Sequence, residues 1–179
     1  MHRDKNTASL YEEVIRRNSE TVYRLAYALV RTRADADDIY QEVFLRYVRK
    51  TPAFDSAEHE KAWFMRVTIN CCRNFWRSPW MQRRRALESG ALESEASEAD
   101  TFRETSDGDQ LLIETVRRLP EKYRAVIHLF YYEELSVEEI GRITDSKEST
   151  VRTRLTRARR ALKSLLKEEG GDFHVQRDI

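Results

Sequence analysis

The feature that most constrains this chain lies in its last quarter, where Leu135-Ser136-Val137-Glu138-Glu139-Ile140 leads through a short polar turn into Ser149-Thr150-Val151-Arg152-Thr153-Arg154-Leu155-Thr156-Arg157-Ala158-Arg159-Arg160. Ser136 is placed to cap a first helix, and Glu139, three residues on, completes a capping box; Ser149 or Thr150 is placed to cap a second. At 3.6 residues per turn Val151, Leu155, Ala158 and Leu162 fall on one apolar stripe, and Arg152, Thr153, Thr156, Arg160 and Lys163 fall on the opposite face. From 147 to 167 there are eight Lys or Arg against the single acid Glu148. A solvated helix gains from mixed charges, so this one repels itself unless a polyanion is near. The pattern reads as a helix-turn-helix whose second helix enters the major groove of DNA.

The 179 residues suffice for one ordinary domain or two small ones, and five glycines with three prolines argue against a β-rich or disordered chain. Net charge is only +1, so affinity for nucleic acid must come from local asymmetry. The adjacent Cys71 and Cys72 cannot easily pair with each other, which fits a reducing cytosol. No apolar run approaches the ~20 residues of a membrane span, and no signal-peptide core follows Met1-His2-Arg3-Asp4-Lys5; a soluble, cytoplasmic protein is expected.

The periodicity predicts an all-α chain. Leu10, Val14 and Ile15 form a first apolar face, Val22, Leu25, Ala26, Leu29 and Val30 a second, and Ile39, Val43, Phe44, Tyr47 and Val48 a third. Thr51-Pro52-Ala53-Phe54-Asp55-Ser56 is a turn, and a fourth helix runs from about Ala57 to Arg77, before Ser78-Pro79. Residues 1–80 thus form a domain of about four helices. Over 86–109 eight acids stand against one base, Arg103, so residues 81–109 read as a flexible acidic linker that buries too little to order itself. Helices resume over 111–119, stop at Pro120, and run again from Tyr123 to Tyr132 into the helix-turn-helix. The second domain spans 110–168, and 169–179 is a tail that reads as a frayed end.

From Arg66 to Arg85 there are six arginines and no acid, interleaved with Phe75, Trp76 and Trp80. Arginines neutralise phosphate while planar groups stack on unpaired bases, the chemistry of single-strand binding. Asn70 and Asn74, one turn apart, add amides for base edges. Packing competes with base contact at Trp63, Phe64, Val67 and Trp76, and is the favoured reading there.

These residues carry a resemblance. Asp35-Ala36-Asp37-Asp38-Ile39-Tyr40-Gln41-Glu42-Val43-Phe44-Leu45 resembles the region-two helix of bacterial sigma factors. Glu58-His59-Glu60-Lys61-Ala62-Trp63 leading to Arg66-Val67-Thr68-Ile69-Asn70 is similar to the promoter-melting segment of the extracytoplasmic-function (ECF) group, and Leu119 to Arg124 with Ser136 to Ile140 and Thr150 to Arg159 resembles region four. The resemblance implies two α-helical domains without regions one or three, and a stress-responsive transcription factor with no enzymatic activity and no cofactor. The implied partners are core RNA polymerase through its clamp helices and flap, promoter DNA, and an anti-sigma factor. Asp38, Gln41 and Glu42 fall where the family meets the clamp helices. Phe54, Asn70, Arg73, Asn74 and Arg77 fall where it captures the melted −10 element, together with the loop from Pro52 to Glu60. Lys147, Thr150, Arg152, Thr153, Thr156 and Arg157 match the readers of the −35 element. The linker resembles the segment threaded toward the RNA exit path. The chain departs from the family at Ser149, where glycine is common, and at Thr156, where some members carry a bulky aromatic.

Three other readings compete. A helix-turn-helix repressor or activator independent of polymerase predicts a dimer on a palindrome and leaves Asp38, Gln41, Glu42 and the arginine-rich face unexplained. A thiol or metal sensor is disfavoured because adjacent cysteines lack the spacing for one tetrahedral ion and His2, His59, His128 and His174 are scattered. An enzyme is disfavoured because no phosphate loop, nucleophile motif or framed carboxylate pair is present, and with it a small-molecule substrate.

Overall fold

A computed structural model describes residues 3–30, 32–88 and 114–168. Among the described residues every regular element is helical, and the chain divides near residue 92 into two compact units. In the first unit α1 (Arg3–Leu29), α2 (Arg33–Lys50) and α3 (Ala57–Arg77) pack on one another, and α4 (Pro79–Glu88) packs on α3. Val22, Leu25, Ala26, Leu29, Val43 and Phe64 form a core with no exposed surface. Around it Phe44, Tyr47, Phe54, Trp63 and Phe64 interlock with ring centroids 5.0 to 6.3 Å apart, spacings at which edge and tilted pairs add to the area they bury.

The two apolar faces that open the chain belong to one helix, not two. Asn18 and Ser19 lie between the two faces, but no proline or glycine breaks the backbone there and both side chains are satisfied. Asn18 Nδ2 donates to Val14 O at 2.9 Å and to Glu60 Oε1 at 2.6 Å, and Ser19 Oγ donates to Ile15 O at 2.7 Å while meeting Tyr40 Oη at 2.8 Å. Leu10 and Val48, assigned to apolar core faces, are 60% and 46% exposed. The linker boundary also moves. Residues 81–88 continue α4, because Pro79 suits a first helical position and Ser78 Oγ accepts the Met81 N–H at 3.3 Å. The rest of the acidic linker, residues 111–113 and the tail lie outside the described residues.

In the second unit a short helical segment over 114–118 is tied to α5 (Glu121–Ile127) by buried Arg124, whose Nη1 donates to Arg117 O at 2.9 Å. A π-helical turn, His128–Tyr132, continues α5 and ends at Glu134 in the left-handed region, with the Leu135 N–H closing on Leu129 O at 3.1 Å. Then come α6 (Val137–Thr144) and α7 (Glu148–Glu168), both packed in this unit, α6 directly on α7. The capping box is present: Ser136 Oγ accepts from Glu139 N at 3.2 Å and Glu139 Oε2 accepts from Ser136 N at 2.7 Å. These bonds from Ser136 hold the Glu139 carboxyl below its ordinary range.

The second cap is elsewhere than expected. Ser149 and Thr150 lie inside α7, and the Lys147 carbonyl accepts from the N–H groups of Thr150 and Val151 at 2.9 and 3.1 Å. What sets this start is the turn before it. Asp145 takes a left-handed conformation (φ 52°) and brings the turn backbone against α6, where a Cβ on Gly141 would stand 2.8 Å from Ser146 O. Gly141→Ala is therefore expected to destabilise the unit by about 1 kcal/mol, since overpacking of roughly 1–3 kcal/mol outweighs the ~1 kcal/mol that alanine gains in a helix. Chemical denaturation of the two proteins checks this; an alanine variant more stable than the parent would show that the turn yields freely.

Candidate functional surfaces

On α2 the core stripe points inward and leaves Asp38, Gln41, Leu45 and Val48 exposed on one face, spaced at i, i+3, i+7 and i+10. Glu42 is half-buried and its Oε1 accepts from Arg46 Nε at 2.6 Å, so its charge is already partly answered within the helix. The surface is thus less acidic than the sequence suggests and more apolar. Leu45 (48% exposed) and Val48 went unrecognised as surface residues. Their offset from the Ile39-Val43-Phe44-Tyr47 stripe was the available signal.

On α3 the outer face carries Trp63, Asn70, Asn74 and Arg77 at i, i+7, i+11 and i+14, flanked by Arg66 and Arg73. Asn70, Asn74, Arg66 and Arg77 are exposed, and Arg73 and Trp63 half-buried. The preceding loop is shorter than the sequence reading gave it: it covers 51–56, with Glu58 to Glu60 in the first helical turn. Phe54 does not project freely. Its ring lies 6.3 Å from Tyr47 and 5.8 Å from both His59 and Trp63, so it fixes the loop onto the start of the outer face. Ser56 Oγ accepts the His59 N–H at 3.1 Å and closes the loop. Of the three interleaved aromatics only Trp80 is exposed, at 57%; Phe75 is half-buried, and Trp76 is buried with Nε1 donating to Leu29 O at 3.1 Å.

The first turn of α3 is anchored to α1 by a buried carboxylate. Glu60 accepts from Arg17 Nε and Nη2 at 3.0 and 2.7 Å and from Asn18 Nδ2 at 2.6 Å. Burial would push this carboxyl up, but the hydrogen bonds from Arg17 and Asn18 and the Arg17 charge outweigh it and hold the carboxyl below its ordinary range. A lowered folded value means that the stabilisation is complete above the unfolded value of about 4.3 and is lost as pH falls through the folded one. Glu60→Ala should cost about 2–3 kcal/mol at neutral pH, because it removes charge-assisted bonds and strands a buried amide. Its acid unfolding limb should also be flatter; equal denaturation midpoints at pH 7 would remove the anchor's significance.

In the second unit α7 buries Val151, Leu155, Ala158, Leu162 and Leu166 and turns Arg152, Thr153, Thr156 and Arg157 outward with Lys147, while Thr150 is half-buried. All six expected readers thus occupy the N-terminal half of the helix and the turn before it. Not every basic residue looks outward. Arg159 Nε donates to Tyr131 Oη at 2.6 Å and its guanidinium lies 5.6 Å over the Phe130 and Tyr131 rings, so it fastens α7 to the π turn. Arg154 Nη1 donates to Ser146 Oγ at 3.1 Å and braces the turn.

Residues 14–82 match the family Sigma-70 region 2, and residues 109–162 match Sigma-70, region 4. The chain is 31% identical over 137 residues to the ECF RNA polymerase sigma-E factor of Escherichia coli strain K12, covering 72% of both chains. It belongs to the ECF sigma factors. It is also 29% identical over 171 residues to the RNA polymerase sigma factor SigV of Bacillus subtilis, covering 94% of this chain and 98% of that one. The fold is shared, at a TM-score of 0.65 and 23% identity, with the sigma factor RpoE of Bartonella quintana, solved with the anti-sigma factor NepR; the match covers 91% of this chain and 98% of that one.

Within this sigma factor the α2 face and α3 lie in the region-two match, and α5 to α7 in the region-four match. Both cysteines are buried on α3, and burial pushes the Cys71 thiol up to about 11, the opposite of the thiolate that a metal or redox sensor needs. Among the described residues no helix is long and apolar enough to cross a membrane.

Proposed function

We propose that this sigma factor joins core RNA polymerase and directs initiation at specific promoters, with division of labour between its two units. The observation that carries the reading is that one chain presents two separate exposed faces of polar and basic residues, one in each unit. The outward face of α7 has the shape and charge of a duplex reader, suited to the −35 element, and the Asn70-Asn74-Arg77 face of α3 offers amides and guanidiniums suited to an opened −10 strand. A regulator that acts apart from polymerase has use for the first only. In this reading Asp38, Gln41, Leu45 and Val48 meet the clamp helices, with Glu42 contributing through its pair with Arg46. The region-four unit meets the flap, the protein works in the cytoplasm beside polymerase, and it has no catalytic role of its own. An anti-sigma partner belongs to the same proposal, as the RpoE complex with NepR illustrates.

The near-zero net charge sets an expectation for the isolated chain, because its acids offset its bases and leave little net attraction to DNA. Fluorescence anisotropy should be measured on a promoter mapped from the 5′ ends of transcripts lost when the gene is deleted. The chain alone should bind weakly and without sequence preference, and core polymerase should convert this to tight, specific binding. Tight specific binding by the isolated chain at physiological salt, unchanged by polymerase, supports the repressor reading instead.

A further inference from the structure

A shallow groove of about 300 Å³ runs between the start of α5 and the start of α7. Lys122 and Tyr123 form one wall; Ser149, Thr153, Arg154 and Arg157 belong to the other. No carboxylate lines it among the described residues. The neighbouring depression, at the turn between α6 and α7, is the instructive contrast: Glu138, Asp145 and Glu148 line it beside Arg142 and Lys147, so its charge is mixed. Only the first groove offers a polyanion an acid-free, cationic channel with hydroxyl donors along one side. Its α5 wall comes from a helix that the sequence pattern did not connect with DNA.

We infer that Lys122 and Tyr123 grip the sugar-phosphate backbone of the promoter strand bordering the bases that α7 reads, and so fix the register of the recognition helix. This rests on the proposed reading of α7. Lys122 is exposed and its ammonium stands 5.2 Å over the Tyr123 ring, an arrangement that holds the charge at the rim of the groove while leaving its donors available. Lysine acts on phosphate as a point charge, and the tyrosine hydroxyl adds a donor; neither group carries sequence information through such a contact. Arg154 is braced against Ser146 and Thr153 Oγ1 donates to Ser149 O at 2.8 Å, so these two α7 groups are already engaged, whereas Lys122 on α5 is exposed. Arg157 lies at the junction, in the groove and on the reading face together.

The test is binding of holoenzyme to duplex promoter DNA, wild type and single-base variants, across a salt series. Lys122→Gln should weaken every sequence by the same factor, about 5- to 10-fold at low salt, and make the plot of log affinity against log salt shallower by about 0.9. Lys122→Arg should restore the slope, and Tyr123→Phe should give a smaller uniform loss. Arg152→Ala, outside the groove, reports on the parent reading by changing base preference. An unchanged slope in Lys122→Gln while Arg152→Ala alters preference overturns the groove assignment and leaves the reader intact. A changed base preference in Lys122→Gln overturns its role as a backbone contact. If neither variant affects duplex binding, the reading of α7 falls and the groove falls with it.

Discussion

Alanine at both Asn70 and Asn74 is expected to abolish open-complex formation while leaving polymerase assembly and −35 docking nearly intact. Both amides are exposed on the outer face of α3, one turn apart, and neither contributes to the core. Phe54 holds the preceding loop against Trp63, so the loop and the amides lie along about 16 Å of helix. Extruding a base costs a few kcal/mol, which contacts made only to the opened strand must return. Each amide that matches a base edge is worth about 1–3 kcal/mol, so losing both removes most of that return and lowers melting by roughly 100-fold or more. The defect should be relieved on a template mismatched over the −10 element, where unpairing has been done in advance. Permanganate reactivity of unpaired thymines distinguishes the outcomes. Normal melting of the fully paired template by the double variant would sink the assignment of this face.

The second large effect lies in the recognition helix. Arg152→Ala and Arg157→Ala should each cost about 1–3 kcal/mol and relax preference at particular −35 bases, as loss of a bidentate contact to guanine does. Arg152 stands 3.7 Å from Glu148, but both side chains are about half exposed, so this ion pair holds the arginine only weakly away from DNA. Lys163 is exposed about 16 Å further along the helix than Arg152, beyond the turns proposed to face the bases. Lys163→Ala and Lys167→Ala should therefore lower affinity for all sequences alike. Competition binding with a set of single-base −35 variants separates the two behaviours. Uniform losses for all four substitutions would remove the base-reading role of Arg152 and Arg157.

How much of this was legible in the sequence follows from the range of each interaction. Val151, Leu155, Ala158 and Leu162 are at most 1% exposed, as their period demanded, and the Ser136-Glu139 box closes within four residues. Local signals of this kind need no knowledge of the rest of the chain. The continuity of α1 was hidden because the partner of Asn18 is Glu60, 42 positions away. The start of α7 was misplaced because hydroxyls that suit a cap were outweighed by the left-handed Asp145 and its approach to Gly141. In the candidate site, the exposed polar residues of α3 and α7 were visible as positions opposite an apolar stripe. The partial neutralisation of Glu42 depends on which rotamer Arg46 adopts, and the groove wall of Lys122 and Tyr123 on how α5 packs against α7. Neither is written in spacing along the chain.

This sigma factor is proposed to supply promoter specificity to polymerase as a subunit of it. Run-off transcription with core polymerase freed of every other sigma factor tests it most directly, on DNA carrying the promoter mapped from the deletion strain. A discrete transcript from one start site, present only when chain and core are combined and lost with Asn70 and Asn74 both changed to alanine, is the expected result. A transcript that appears only after a second sigma factor is supplied, or that forms equally well without the chain, would contradict the account.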